Sequence, residues 1–186
     1  MNYAVIKKFD IANGPGVRVS LFVSGCRHHC KNCFNKEAWD FDYGYEYNDA
    51  VIDEIIEACD KDYITGLSLL GGEPFEPENQ EGILRLVERF DEKFPDKDIW
   101  CYTGFLFDKL LLAGAVGNSE TVLKTLEHID VVVDGKFVEE LKNLALIFRG
   151  SSNQRIIDVK KSLEQNKTIL LDGKWERKMG NSSIYD

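Results

Sequence analysis

A chain of 186 residues, 44% hydrophobic and 30% charged, has the makeup of one globular domain, which excludes a disordered, collagen-like or disulfide-scaffold protein. Its formal charge of −9 weighs against a broad nucleic-acid surface, because phosphate affinity comes from clustered Lys and Arg. No apolar run approaches the roughly 20 residues that cross a bilayer, and residues 1–8 lack a signal-peptide core, so a cytoplasmic protein with no membrane or nucleic-acid partner is expected. In that compartment thiols stay reduced, and the five cysteines point to metal or redox chemistry rather than to disulfides.

In chain order, Asn13-Gly14-Pro15-Gly16 is a run of breakers, and residues 17–23 behind it are rich in β-branched and aromatic side chains. Together they predict a strand entered from a tight turn, with the cysteine segment on the loop that leaves it. Asn48 is placed to cap a helix in which Val51, Ile52, Ile55, Ile56 and Cys59 recur at helical spacing, which makes Cys59 a core residue. Residues 66–70 predict the next strand. Ile83, Leu84, Val87 and Phe90 share one face of a second helix that Pro95 ends, and a strand follows at 99–103. Helical patterns at 106–112 and 121–128 flank a small-residue stretch, and 129–133 predicts another strand closed by Asp134-Gly135. Strands alternating with helices predict an α/β fold whose parallel sheet binds ligands beyond the carboxyl ends of its strands. Alternation alone leaves open whether that sheet is a partial (β/α) barrel or an open sheet. Residues 1–186 read as a single domain with a polar tail, expected to be flexible, at about 174–186.

Cys26, Cys30 and Cys33 fall within eight residues. Three thiolates at this spacing suit a compact [4Fe–4S] cube and, with no fourth cysteine beside them, would leave one iron open to a ligand. The alternative is zinc, with His28 or His29 completing a Cys₃His set. Otherwise both histidines are expected to be solvated loop residues. Gly71-Gly72-Glu73-Pro74 follows directly on an apolar strand, where two glycines let a ligand approach the backbone and Glu73 supplies an acceptor. Arg149-Gly150-Ser151-Ser152-Asn153-Gln154 is either a polar binding segment for ribose hydroxyls or a carboxylate, or a surface turn that caps a helix. Trp100, Tyr102 and Phe105 are expected in the core.

The pairing of the cysteine loop with Gly-Gly-Glu-Pro resembles the radical S-adenosylmethionine superfamily, and within it the activating enzymes of anaerobic ribonucleoside-triphosphate reductase. The likeness extends through Asn2-Tyr3, 13–18, 21–26, 33–36, 97–100, Thr103-Gly104, 133–136 and 149–154. It implies an α/β fold of the radical SAM type and an oxidoreductase that generates a glycyl radical. The cofactors implied are a [4Fe–4S] cluster and S-adenosyl-L-methionine. By the same resemblance Cys26, Cys30 and Cys33 hold the cluster; Gly71, Gly72 and Glu73 hold the methionyl amine; and the backbone of Asn32, Cys33 and Phe34 lies along the adenine. No catalytic residue is implied beyond the cluster. The partners implied are the glycyl-radical subunit of the reductase and a low-potential electron donor such as flavodoxin. Two departures are visible: Asn32 stands where many members carry an aromatic residue, and residues 113–120 and those after about 157 lack a match. The strand-like residues 168–171 are therefore assigned to packing or to partner contact.

Overall fold

The structure, a computed structural model, describes residues 1–171, so the expected tail at 174–186 lies outside the described residues. Its elements are β1 (Asn2–Asp10), β2 (Val17–Val23), β3 (Tyr45–Glu46), α1 (Asp49–Cys59), β4 (Ile64–Gly71), α2 (Pro77–Lys93), β5 (Asp98–Tyr102), α3 (Ser119–His128), β6 (Val131–Asp134), β7 (Arg155–Asp158) and α4 (Val159–Glu164). Local chemistry sets several of these boundaries. The Asn48 side chain accepts the Val51 N–H at 3.3 Å and caps α1. Pro77 opens α2, where a missing N–H costs nothing, and the chain leaves that helix at Phe94, before Pro95.

The strands form one seven-stranded sheet in the order β3-β1-β2-β4-β5-β6-β7. β2, β4, β5 and β6 run parallel, while β1, β3 and β7 pair antiparallel at its two flanks. The sheet does not close, so the open form is the one adopted, with a parallel centre and antiparallel edges. Side chains alternate across it. Val19, Leu21, Leu67, Leu69, Ile99, Cys101 and Val132 meet Ile52, Ile55, Ile83, Phe90, Val122 and Leu126 of the helices in the main core. Each such fully buried aliphatic side chain contributes about 1.5–3 kcal/mol. Cys59 and Cys101 lie in this core, Cys59 as its helical spacing predicted, and burial pushes both thiols up, Cys59 to about 12. The other face carries Trp100, Val131, Val133 and Ile156, covered by Tyr102, Phe148 and Leu171.

Three segments can be compared with expectation, and in the second the boundary is corrected. Residues 106–112 hold a single π turn, Phe107–Leu111, in which Leu111 N bonds Leu106 O at 3.2 Å, one residue wider than an α turn; Phe107 and Leu111 are buried. The strand expected from Ile129 starts at Val131, because the Ile129 N–H still closes α3 on Leu126 O. Residues 168–171 run beside β7, with Asp158 N bonded to Ile169 O at 2.9 Å and Leu171 N to Ile156 O at 2.8 Å, which is the packing expected of them.

Candidate functional site

Beyond the carboxyl ends of β2, β4, β5 and β6 lies a cavity of about 500 Å³ whose lining includes Cys26, Cys30, Cys33, Gly71, Gly72 and Glu73. The fold thus brings together the cysteine loop and the Gly-Gly-Glu-Pro turn, which are separated by some forty residues of chain. Each loop cysteine follows a residue with a positive φ: Gly25 (91°), His29 (47°) and Asn32 (56°). Three residues at positive φ curl the loop, all three cysteines line the same cavity, and Asn is among the few side chains that tolerate this conformation. The loop base is pinned by Gly25 N to Ala38 O at 2.9 Å and Cys26 N to Trp39 O at 3.2 Å.

The turn after β4 interlocks with that base. Gly72 N bonds Val23 O at 2.7 Å and Glu73 N bonds Gly25 O at 2.8 Å, while a Cβ on Gly72 would stand 2.5 Å from the Gly25 oxygen. Only glycine permits this approach. The Asn79 amide, buried in α2, donates to both Ser24 O and Glu73 O at 2.9 Å. The Glu73 carboxylate is buried and fully occupied: Oε1 accepts Phe75 N–H (3.0 Å) and the Thr103 hydroxyl (2.8 Å), and Oε2 accepts Gly104 N–H (2.7 Å) and faces His28 Nε2 (2.9 Å). Arg27 clasps the other acid of this turn, with its N–H at 2.7 Å and its guanidinium at 2.6 Å from Glu76, a second grip on Glu78, and the Phe41 ring 4.3 Å away.

His28 is therefore no solvated loop histidine, contrary to expectation; its side chain is 9% exposed and its ring packs on Phe105 at 4.5 Å. His29 lies against Trp39 at 4.7 Å. The sequence holds complementary groups for these contacts, with Arg27 and His28 directly after the first cysteine and the acids Glu73 and Glu76 around Pro74, but nothing local pairs them.

The donor chemistry fits an iron–sulfur cluster. Burial pushes the Cys26 thiol up to about 12, helped by the charges of Glu73 and Glu76 and opposed by the His28 and His29 amides. Cys30 is also raised by burial, against the Phe137 amide. Such thiols stay protonated until a metal centre displaces their protons. Among the described residues no three Cys, His, Asp or Glu side chains converge on a point that one ion could occupy. A four-iron cube takes thiolates that stand apart, each on its own iron, and its soft metal suits three sulfurs.

Other walls were only partly foreseen. Tyr102 lines the cavity, with its hydroxyl buried and no hydrogen-bond partner among the described residues, whereas Trp100 and Phe105 pack as expected. Tyr102 sits where β5 ends, a position at which a strand side chain can serve wall and core at once. Arg149, Gly150 and Gln154 also line the cavity, and the segment enters β7 rather than capping a helix. Its polar groups largely satisfy one another: Gln154 Oε1 accepts Gly150 N–H at 2.8 Å, and its amide donates to Gly135 O at 3.0 Å. Asn32 and Phe34 stand at the rim, Phe34 82% exposed.

A loop whose three cysteines line a cavity at the strand ends of an α/β sheet has the character of an iron–sulfur site, and a sequence family described as 4Fe-4S single cluster domain matches residues 12–157. The chain is 44% identical over 156 residues to the anaerobic ribonucleoside-triphosphate reductase-activating protein of Escherichia coli K12, covering 83% of this chain and 96% of that one. It is 43% identical over 158 residues to the protein of that name from Vibrio cholerae, covering 84% and 97%. With the one from Enterobacteria phage T4 it shares 40% over 156 residues, covering 84% and 93%. The chain belongs to this family of 4Fe–4S activating proteins.

Proposed function

We propose that this protein activates an anaerobic ribonucleoside-triphosphate reductase by generating its glycyl radical through reductive cleavage of S-adenosylmethionine at a [4Fe–4S] cluster. The observation that carries the reading is the single cavity lined by Cys26, Cys30, Cys33 and the Gly71-Gly72-Glu73 turn. The three cysteines would hold the cluster and leave one iron without a protein ligand. The cluster would supply the electron for reductive cleavage of S-adenosylmethionine, and so the oxidising power to remove a hydrogen atom from a glycine of the reductase.

The chain's own residues bind, orient and exclude. Gly71, Gly72 and Glu73 would receive the methionyl amine; both Glu73 carboxylate oxygens are engaged within the site, so its side chain also keeps the turn in shape. The backbone of Asn32, Cys33 and Phe34 would run along the adenine. Phe34 and Leu144, which is 92% exposed, line the cavity and leave its mouth apolar and open, so exclusion of water would come from the reductase seated over it. The electron would arrive from a low-potential donor such as flavodoxin, in the cytoplasm. Among the described residues no helix is long and apolar enough to cross a membrane.

The test is anaerobic. The cluster is reconstituted and reduced, S-adenosylmethionine is added, and 5′-deoxyadenosine is quantified for the wild type and for Cys30→Ala. Product from the wild type alone supports the reading, and a glycyl radical detected by electron paramagnetic resonance after adding the reductase supports the partner. A protein that binds zinc, or that carries a cluster and never cleaves the cofactor, overturns it.

A further inference from the structure

Glu73 accepts three hydrogen bonds from its own turn and from the end of β5: Phe75 N–H, the Thr103 hydroxyl and Gly104 N–H. Its carboxylate, 1% exposed, is thereby held in one orientation. The fourth contact, 2.9 Å from Oε2, comes from the cysteine loop through His28 Nε2. A carboxylate with three donors already aimed at it is an acceptor, so Nε2 carries the proton and donates. The ring is seated for this purpose. It rests on Gly104, where a Cβ would collide with it, and edge-on against Phe105. Arg27, gripping Glu76 and Glu78, keeps the loop attached to α2 by separate bonds.

We infer that His28 is a positioning residue that couples the two halves of the site: its bond to Glu73 holds the cysteine loop and the Gly71–Pro74 turn in one mutual geometry, so that filling either half favours filling the other. The inference rests on the reading of the cysteine loop as the cluster's holder and the turn as the cofactor's. Coupling of this kind is reciprocal, so cluster loading tightens cofactor binding by the factor by which the cofactor protects the cluster. One buried hydrogen bond to a carboxylate sets its size at about tenfold.

The experiment measures the Kd of S-adenosylmethionine anaerobically by calorimetry, on cluster-free and on reconstituted protein, with iron content and thermal unfolding recorded for each sample. The wild type is expected to bind more tightly when loaded. His28→Phe, which keeps the ring packing and the three cysteines, should load iron and fold as the wild type does, with the ratio of the two Kd values reduced about tenfold. His28→Gln, still able to donate to Glu73, should retain most of the ratio. Gly104→Ala, which pushes the ring off its seat, should behave like His28→Phe. The change that the cofactor makes in the electron paramagnetic resonance spectrum of the reduced cluster should weaken in parallel. A wild-type ratio in His28→Phe overturns the inference and leaves the proposed function standing. If His28→Phe fails to fold or to load, Gly104→Ala decides in the same way. A loaded wild type that does not bind the cofactor overturns both.

Discussion

Arg18 offers the sharpest test of what holds the sheet beneath the site. It is fully buried, and its guanidinium spans Ser68 Oγ (2.7 Å), Asp98 Oδ1 (2.6 Å), Leu67 O (2.8 Å), Asp98 O (3.1 Å) and Pro15 O (3.3 Å), so one side chain ties the turn before β2 to β4 and β5. Arg18→Met keeps an unbranched apolar stem and removes every bond, together with the guanidinium's contact 5.8 Å from the Trp100 ring. Taking one partner from a buried pair costs about 3–5 kcal/mol. Asp98 is 16% exposed and regains some water, so the lower end applies, about 3 kcal/mol. At roughly 2–4 °C per kcal/mol for a domain of this size, the melting temperature should fall by about 6–12 °C. Urea denaturation followed by circular dichroism, at an unchanged m-value, measures the loss. Adding Asp98→Asn should cost less than its effect alone, since the orphaned charge goes with it. A loss below about 1 kcal/mol would refute the account, because it would mean the guanidinium's partners are satisfied without it.

Two further outcomes follow from other features. Asn32→Val should destabilise the cluster-free protein by about 1–2 kcal/mol, and Asn32→Gly should not, because φ at this position is 56°; equal losses in urea for both variants would place the importance of Asn32 in its side chain. Stability should also fall at both ends of the pH scale. Arg155's hydrogen bonds hold Asp108 below the usual carboxylate range, and at Asp10 burial alone would raise the carboxyl but bonds from Ser20, Ala12 and Asn13 outweigh it and lower it. A depressed folded pKa gives stability above the unfolded value and loses it as pH drops through the folded one, so the acid limb lies below about pH 4. Cys59 and Cys101 are raised by burial, which gives stability below the unfolded value that is lost on rising from about pH 9 toward the folded value. Urea midpoints from about pH 3 to pH 10 check both limbs; a flat profile above about pH 9 would show that these thiols ionise as freely folded as unfolded.

Much of the fold was legible where one local pattern settles the structure. The β-branched run of β2 and the helical spacing in α1 and α2 each bury a continuous face, so pattern and packing agree. β1 was missed because Asp10 alone in it is buried, with Lys7 and Lys8 interrupting any alternation, and it is held by pairing with β2. β7 and α4 are short and borrow their order from β6 and from residues 168–171. In the site, the cysteine spacing and the strand-end glycines stood out because that chemistry is local. The His28–Glu73 bond joins residues 45 apart, and Tyr102 becomes a cavity wall only once β5 lies beside β6, so no window of sequence contained either.

The sheet also sorts the five cysteines by face. Cys59 and Cys101 are sealed behind the helices at 0% exposure, while Cys30 and Cys33 are partly open on the cavity loop and Cys26 lies at that loop's base, 7% exposed. An alkylating or oxidising reagent acting on the native, cluster-free chain meets the loop thiols first and reaches the sealed pair only after unfolding. Thiol titration before and after adding denaturant thus separates a chain damaged at its loop, which on the proposed reading could not be reloaded, from one that keeps all five thiols intact.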